Sequence, residues 1–363
     1  CTDLSEFVGV SGNANDCIRG GEYNMSTLKD VAKRAGVSIS TVSRALADNS
    51  HIGEKTKERI RQIADELEYS PNYIARSLKT KGSMTLAYLI PDIENLLYPS
   101  LAVAVEKQAR ALGYSLLLCN TFDDPDLMNK YVRQLQSRFV DGFLFSTSLR
   151  KGLNNEAITY LKSLNYPCVS LMRNSPDNTD SVIVDNTLGA EKAVDFLVAQ
   201  GHREIVFIAG SDNLELYQER FAGYKKGLKK HSIPYSDELV WPGFKGTQRI
   251  VSQVAKEKIE SGKCPKAIFC ASDPLAIDLL KTLHDCKLSV PEQVSVIGFD
   301  NLRVSEIFYP SLTTIEQPFF EMGKAAVKLL VAQIENPNKR NEPNLIFETK
   351  VIVRESVKLS EVK

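Results

Sequence analysis

From Thr85 to Phe299 the chain alternates short apolar runs with stretches of helical periodicity, and nothing else in it restricts the possible folds as much. The apolar runs are Thr85–Ile90, Ser115–Cys119, Gly142–Phe145, Cys168–Leu171, Ile205–Ala209, Ala267–Ala271 and Val294–Phe299. Between them helices are expected at Leu101–Leu112, Leu127–Ser137, Glu156–Leu164, Ala190–Gln200, Glu219–His231, Gln248–Glu260 and Pro274–His284. A strand exposed on one side would alternate polar with apolar residues, whereas continuously apolar strands joined through helices belong to parallel sheets covered on both faces. The fold class is therefore α/β with doubly wound parallel sheets. Ligands of such sheets bind beyond the carboxyl ends of the strands. Several runs stop there in polar or aromatic residues: Pro91-Asp92, Ser146, Ser272-Asp273 and Phe299-Asp300-Asn301.

No GxGxxG, P-loop, GxSxG or HExxH motif accompanies these ends, so a dinucleotide, nucleoside triphosphate or hydrolase reading lacks its chemistry. No catalytic pair and no metal constellation is visible, and no cofactor is expected. The seven cysteines are odd in number, scattered and without a CxxC pair, which suits reduced structural thiols in a cytoplasm. With 363 residues, 43% of them hydrophobic, the chain can bury two or three cores, yet no apolar run approaches a membrane span.

The zero net charge conceals a split. Residues 25–81 carry +4, residues 1–24 carry −3 and the remainder −1. A basic head on a neutral body suggests that only the head meets a polyanion. Within that head, Leu28, Val31, Ala32 and Ala35 recur at helical spacing, Thr27 can cap the N-terminus, and Gly36 can end the helix through a positive φ. Ser38 caps a second helix whose Val42, Ala45 and Leu46 share one face. Ser40, Ser43 and Arg44 point the other way, with Ile39 and Thr41 at the edges. This second helix is rich in Ser, Thr and β-branched residues, so packing must hold it. Hydroxyls near a helix N-terminus suit phosphate oxygens, and an Arg in the major groove can bond guanine twice. The pattern reads as a DNA-binding helix-turn-helix; the plainer alternative is an αα-hairpin with a solvated Ser/Thr face. A third helix over Glu54–Leu67 would close the small core with Ile60, Ile63, Ala64 and Leu67.

The segment from Tyr69 to Gly82 follows, where Pro71 can start a helix too short to be stable alone in water. It is expected to order on DNA with Leu78 as a wedge between base steps, or else to be a linker with an incidental leucine. Residues 1–24 lack periodicity and precede Met25, a plausible start; they read as a disordered extension or as foreign to the native chain. An N-terminal Cys also begins processed lipoproteins, but a DNA-reading motif directly behind it argues against export.

With these features assembled, residues 27–357 resemble the LacI/GalR family of bacterial transcription regulators. The matching segments are 27–47, Glu66-Leu67-Glu68-Tyr69-Ser70-Pro71-Asn72, Leu89-Ile90-Pro91-Asp92, Val140-Asp141-Gly142, Gly201-His202-Arg203, Ser272-Asp273, Val296-Ile297-Gly298-Phe299-Asp300-Asn301 and Leu312-Thr313-Thr314-Ile315. The resemblance implies a three-helix head over 25–70, a hinge helix and linker over 71–83, and a periplasmic-binding-protein-like core of two doubly wound subdomains. The first would be 84–184 plus 316–342, and the second 185–315 plus 343–357. It also implies that Ile39, Ser40 and Arg44 read bases, that Thr27, Ser38, Thr41, Ser43 and Asn72 contact the DNA backbone, and that Leu78 enters the minor groove. In the core, Leu97, Tyr98, Ser146, Arg220 and Phe244 match effector-lining positions, as do Ser272, Asp273, Asp300, Gln317 and Phe319.

Physically the core set is coherent, since Arg220 and Asp300 offer charged hydrogen bonds while Tyr98, Phe244 and Phe319 offer flat apolar faces. Taken singly, each has an ordinary structural alternative. Two departures bear on the ligand. Where many sugar-responsive relatives end a strand with Asp-Arg, this chain has Met172-Arg173, and the loop 211–217 lacks the Arg or Thr of purine-binding relatives. A modified or less polar sugar is therefore expected. The expected partners are a double-stranded, pseudo-palindromic operator, a small-molecule effector and a second copy of the chain, because a two-fold operator needs two heads. The resemblance also leaves room for a phosphoprotein corepressor. The rival reading is the solute-binding protein of a sugar transporter, which shares the core and would lack the head.

Overall fold

The computed structural model describes residues 26–46, 52–69, 82–137, 140–146, 156–173, 179–337 and 344–360. They belong to two compact units divided between residues 81 and 82. The expected hinge helix, with Asn72 and Leu78, lies outside the described residues, as does the segment 1–24.

The first unit holds three helices: α1 (Leu28–Ala35), α2 (Ile39–Ala45) and α3 (Glu54–Glu66). Thr27 and Asp30 form a reciprocal capping box, in which the Thr27 N–H donates to the Asp30 carboxylate at 2.8 Å. Gly36, at φ 64°, closes α1 by donating to the carbonyls of Ala32 and Lys33. Its left-handed conformation costs glycine no Cβ clash, and the turn can then hand the chain to α2. Ser38 caps α2 by accepting from the Thr41 N–H at 3.1 Å. Val31, Ala32, Ala35, Val42, Ala45, Ile60 and Ala64 make the core, with Leu28, Ile63 and Leu67 packed around it.

The second unit contains two six-stranded sheets. The first sheet has β1 (Thr85–Ile90), β2 (Ser115–Asn120), β3 (Gly142–Phe145), β4 (Cys168–Leu171) and β5 (Ser181–Val184), in the order β5-β4-β3-β1-β2 and all parallel. Helices α4 (Leu97–Ala111), α5 (Pro125–Gln136) and α6 (Glu156–Ser163) connect them. The second sheet is built from β6 (Ile205–Ala209), β7 (Val240–Pro242), β10 (Ala267–Cys270), β11 (Ser295–Asp300) and β12 (Thr313–Glu316), in the order β12-β11-β10-β6-β7. Its helices are α7 (Asn186–Ala199), α8 (Glu215–Lys230), α9 (Val251–Glu260), α10 (Asp273–Asp285) and α11 (Arg303–Ile307). A hairpin of β8 (Phe244–Lys245) and β9 (Gln248–Arg249) projects between β7 and α9.

Several elements depart from expectation. Gln248 and Arg249 belong to β9, so the helix expected from Gln248 starts only at Val251. Helices α4, α7 and α8 each begin four residues early; at α7 the reason is Asp185, whose carboxylate accepts the Leu188 N–H at 2.8 Å. Helix α12 (Phe319–Glu335) carries apolar residues over most of its surface and packs on α4 and on the first sheet. Its polar residues form only a narrow stripe, Glu321, Lys324, Lys328 and Glu335, and it lies beyond the alternating stretch, so it was not among the expected helices.

The chain passes between the lobes three times, at 184–186, 316–319 and 347–350. The last passage falls later than the boundary at 342/343 that the family resemblance implies. Strand β13 (Asn344–Phe347) runs parallel to β5 in the first sheet, pairing Leu345 with Val182 and Ile346 with Ile183. Only β14 (Lys350–Ile352) returns to the second lobe, antiparallel to β12. Without β13, the outer edge of β5 would leave a row of backbone donors and acceptors unpaired.

Candidate effector cleft and DNA-reading helix

In the head, Ile39, Ser40 and Arg44 are exposed on α2, and Ile39 keeps 46% of its surface open to solvent although it is aliphatic. Opposite them Val42 and Ala45 are buried. Ser38 Oγ lies 2.7 Å from Ser40 Oγ and 2.8 Å from Thr41 Oγ1, so the three hydroxyls form one cluster at the start of α2. Thr27 is exposed at the start of α1, and Ser43 is half-buried. Hydroxyls at the starts of α1 and α2 suit phosphate contact, and the exposed Arg44 on α2 suits base contact.

In the core the carboxyl ends of the strands supply the second site. Arg220 on α8 is almost completely buried and makes three directed contacts: Nε donates to Asn186 Oδ1 at 2.9 Å, Nη1 to the Ala271 carbonyl at 2.7 Å, and Nη2 pairs with Asp300 at 3.1 Å. Its guanidinium lies flat over Phe299, 3.7 Å from the ring centroid. Asp300 also accepts from Gln317 Nε2 at 2.6 Å. Burial pushes the Asp300 carboxyl up to about 7, against the pull of the Arg220 cation. Asp300 further sits at φ 125°, a region that side chains avoid. A buried pair on a strained backbone is where binding energy can be coupled to conformation.

Three of the expected residues serve the framework. Asp273 is completely buried and accepts from the Leu302 N–H at 2.9 Å, from Ser305 Oγ at 2.6 Å and from Thr314 Oγ1 at 2.6 Å. Ser146 Oγ donates to the Leu171 carbonyl at 2.9 Å and meets Tyr88 Oη at 2.8 Å. Phe319 joins Leu97, Tyr98, Met172 and Leu302 in one apolar cluster, where residues of both lobes meet. Phe244 stands on the hairpin with its ring 6.3 Å from that of Tyr217. Beside them a cavity of about 430 Å³ is lined by Tyr217, Phe244, Ser272, Pro274, Ile277 and Leu302, with Glu94, Asn95 and Leu96 contributed by the first lobe.

Four residues of this region were not among the expected site residues. Tyr217 lies between the cavity and Arg220, with its ring 5.6 Å from the guanidinium carbon. Phe299 belongs to an apolar run and reads as core. Asn186 is one polar residue among many, and Arg173 was conspicuous only through the methionine before it.

A helix-turn-helix head joined in one chain to a two-lobed, doubly wound core with a polar cleft defines a ligand-responsive DNA-binding regulator. Known proteins agree. The LacI model, "Bacterial regulatory proteins, lacI family", matches residues 27–72, and the periplasmic binding protein-like domain model matches 194–357. The HTH-type transcriptional regulator RegA of Clostridium saccharobutylicum is 34% identical over 91% of this chain and 99% of its own length. The ribose operon repressor of Halalkalibacterium halodurans is 33% identical over 92% and 98%, and the repressor PurR of Vibrio vulnificus 33% over 92% and 99%. The lac repressor dimer bound to operator and the anti-inducer ONPF superposes with a TM-score of 0.81 at 25% identity, covering 93% of this chain and 100% of that one. The chain belongs to the LacI family of bacterial transcriptional regulators. Its members are regulators and not enzymes, and the head rules out the transporter-protein alternative. No helix among the described residues is long and apolar enough to cross a membrane.

Proposed function

We propose that the protein is a cytoplasmic repressor that binds a pseudo-palindromic operator as a homodimer and is controlled by a carbohydrate in the cleft between its core lobes. The observation that carries the control mechanism is the bonding of the Arg220–Asp300 pair. Asn186, at the first passage between the lobes, accepts from Arg220, and Gln317, at the second, donates to Asp300. A ligand that takes hydrogen bonds from Arg220 or gives them to Asp300 must rearrange bonds to two of the three interlobe strands. It thereby favours one lobe angle over another, and the state it binds better decides whether it releases or strengthens DNA binding. The lobe angle in turn sets the spacing of the two heads.

Base reading is assigned to Ile39, Ser40 and Arg44. Thr27, Ser38, Thr41, Ser43 and Asn72 hold the backbone, and Leu78 wedges the minor groove. Ile39 and Ser40 offer one methyl surface and one hydroxyl, so Arg44 carries most of the direct readout. Selection of binding sites from random DNA should return a two-fold site. Arg44→Ala should weaken that site by ~10- to 100-fold while salt-sensitive binding to unrelated DNA persists. Equal loss on both DNAs would remove Arg44 from sequence reading. A panel of sugars and nucleobases, read by thermal shift and by gel shift on the selected site, tests the effector class.

A further inference from the structure

We propose that Asp141 is a positioning residue for operator binding: by fixing the first residues of the core it sets the length of free chain behind the head, and with it the half-site spacing that the dimer accepts. The inference rests on the reading of the protein as a dimer on a two-fold operator, and assigns the spacing to a residue. The core unit begins at Gly82. Asp141 directly precedes β3, at the amino end of the first sheet, and β3 runs parallel to β1. Its Oδ1 accepts from the Ser83 N–H at 2.7 Å and from Ser83 Oγ at 3.0 Å, while its Oδ2 accepts from the Met84 N–H at 2.8 Å. The Asp141 N–H donates in return to the Thr85 carbonyl at 2.8 Å. From the other neighbouring strand, the Ser115 N–H donates to the Met84 carbonyl at 2.8 Å.

The location distinguishes this carboxylate from Asp273, whose donors come from separate loops inside the second lobe. Asp141 collects its three bonds from two consecutive residues, at the point where the chain from the head enters the core. Met84 holds φ 51°, a left-handed backbone that a methionine seldom adopts, and its side chain is exposed, so the bonds of its backbone hold it there. Among the described residues Asp141 has no ion pair, and both its oxygens are spent on this anchor. Released, Ser83 and Met84 would add about 7 Å of extended chain to each protomer's connection. Base pairs rise by about 3.4 Å, so slack of that size in two protomers absorbs the displacement of an inserted pair. With the anchor made, the same insertion carries one half-site away from its head and turns it by about 35°.

The test uses the full chain, the site selected from random DNA, and a derivative of that site with one base pair inserted at its centre, read by fluorescence anisotropy. The wild type should lose about 100-fold on the insertion, because both heads can no longer engage together. Asp141→Asn keeps the shape but cannot accept at both oxygen positions; its loss on the insertion should shrink to about 5-fold, with binding to a single half-site unchanged. Ser83→Ala removes one of the three donors and should relax the spacing by a smaller factor. Two glycines inserted between Lys81 and Gly82 of the wild type supply the same slack directly and should relax it as Asp141→Asn does. Gln333→Ala removes bonds to the Cys168 N–H and to Asp180 in the same lobe and should keep the wild-type penalty. An undiminished penalty in both Asp141→Asn and Ser83→Ala overturns the inference, as does an equal relaxation in Gln333→Ala, which would reduce the effect to general loosening of the lobe. A wild type indifferent to the insertion would reject the two-fold reading itself, and the inference with it.

Discussion

Replacing Arg220 by methionine separates two consequences of the buried pair that ordinary mutagenesis confounds. The substitution keeps an unbranched side chain over Phe299 but strands three acceptors: Asn186 Oδ1, the Ala271 carbonyl and the Asp300 carboxylate. Breaking a buried ion pair by removing one partner costs about 3–5 kcal/mol. Asp300 can escape part of that cost by taking a proton, because burial already holds its carboxyl at about 7. Its folded pKa stands above the unfolded value of 3.8, so Asp300 contributes stability that is present at low pH and lost as pH rises through about 7. Without the Arg220 cation the folded pKa moves higher still. Below pH 7 the carboxyl is then neutral in both proteins, and the variant loses only the two stranded neutral acceptors, about 2 kcal/mol. Above pH 7 the wild-type carboxyl ionises beside its cation while the variant's must ionise alone, and the loss grows toward about 4 kcal/mol. At about 2–4 °C per kcal/mol, thermal unfolding of the full chain should show Arg220→Met lowering Tm by about 6 °C at pH 6 and about 12 °C at pH 8.5. The same variant should lose its response to the effector in a gel shift. An equal drop at both pH values would show that Asp300 does not titrate in this range, and no drop would show that Arg220 is dispensable to the lobe.

Other perturbations test the framework around the cleft. Asp273→Ala removes the acceptor for Leu302 N–H, Ser305 and Thr314 together; a loss of about 3 kcal/mol or more is expected in urea unfolding, and a loss below about 1 kcal/mol would contradict its place in the framework. Gly223 on α8 passes so close to α7 that an added Cβ would lie 2.1 Å from the Thr187 carbonyl oxygen. Gly223→Ala should therefore separate the two helices and cost about 1–3 kcal/mol, seen as a lower urea midpoint, whereas alanine at the exposed Gly53 should change it little.

How much of this was legible beforehand follows from how locally each feature is encoded. The helix-turn-helix depends on contacts within a few residues: the Thr27 cap, the positive φ of Gly36, the Ser38 cap, and the alternation of buried Val42 and Ala45 with exposed Ser40 and Arg44. The parallel α/β class was equally plain, because β1, β3, β10 and β11 are buried on both faces and carry continuous apolar runs. Arg220 and Asp300 were marked for the site by family resemblance, and the structure joins them across 80 residues of chain into one ion pair.

Features that depend on distant partners were not readable from the chain. Helix α12 follows the second lobe in the chain yet packs on the first sheet, and β13 is assigned to that sheet by its neighbour β5, 163 residues earlier, and not by its own alternating pattern. Asp273 reads as a ligand carboxylate until three donors from separate loops are seen to occupy it. Arg173 is conspicuous in the sequence only through the methionine before it, and the structure shows it buried, with one long contact to Tyr98 among the described residues. Periodicity, capping and turn chemistry act over one helical turn and are written in the residues themselves. Whether a buried charge is already satisfied depends on atoms brought together from across the chain, and only the tertiary structure decides it.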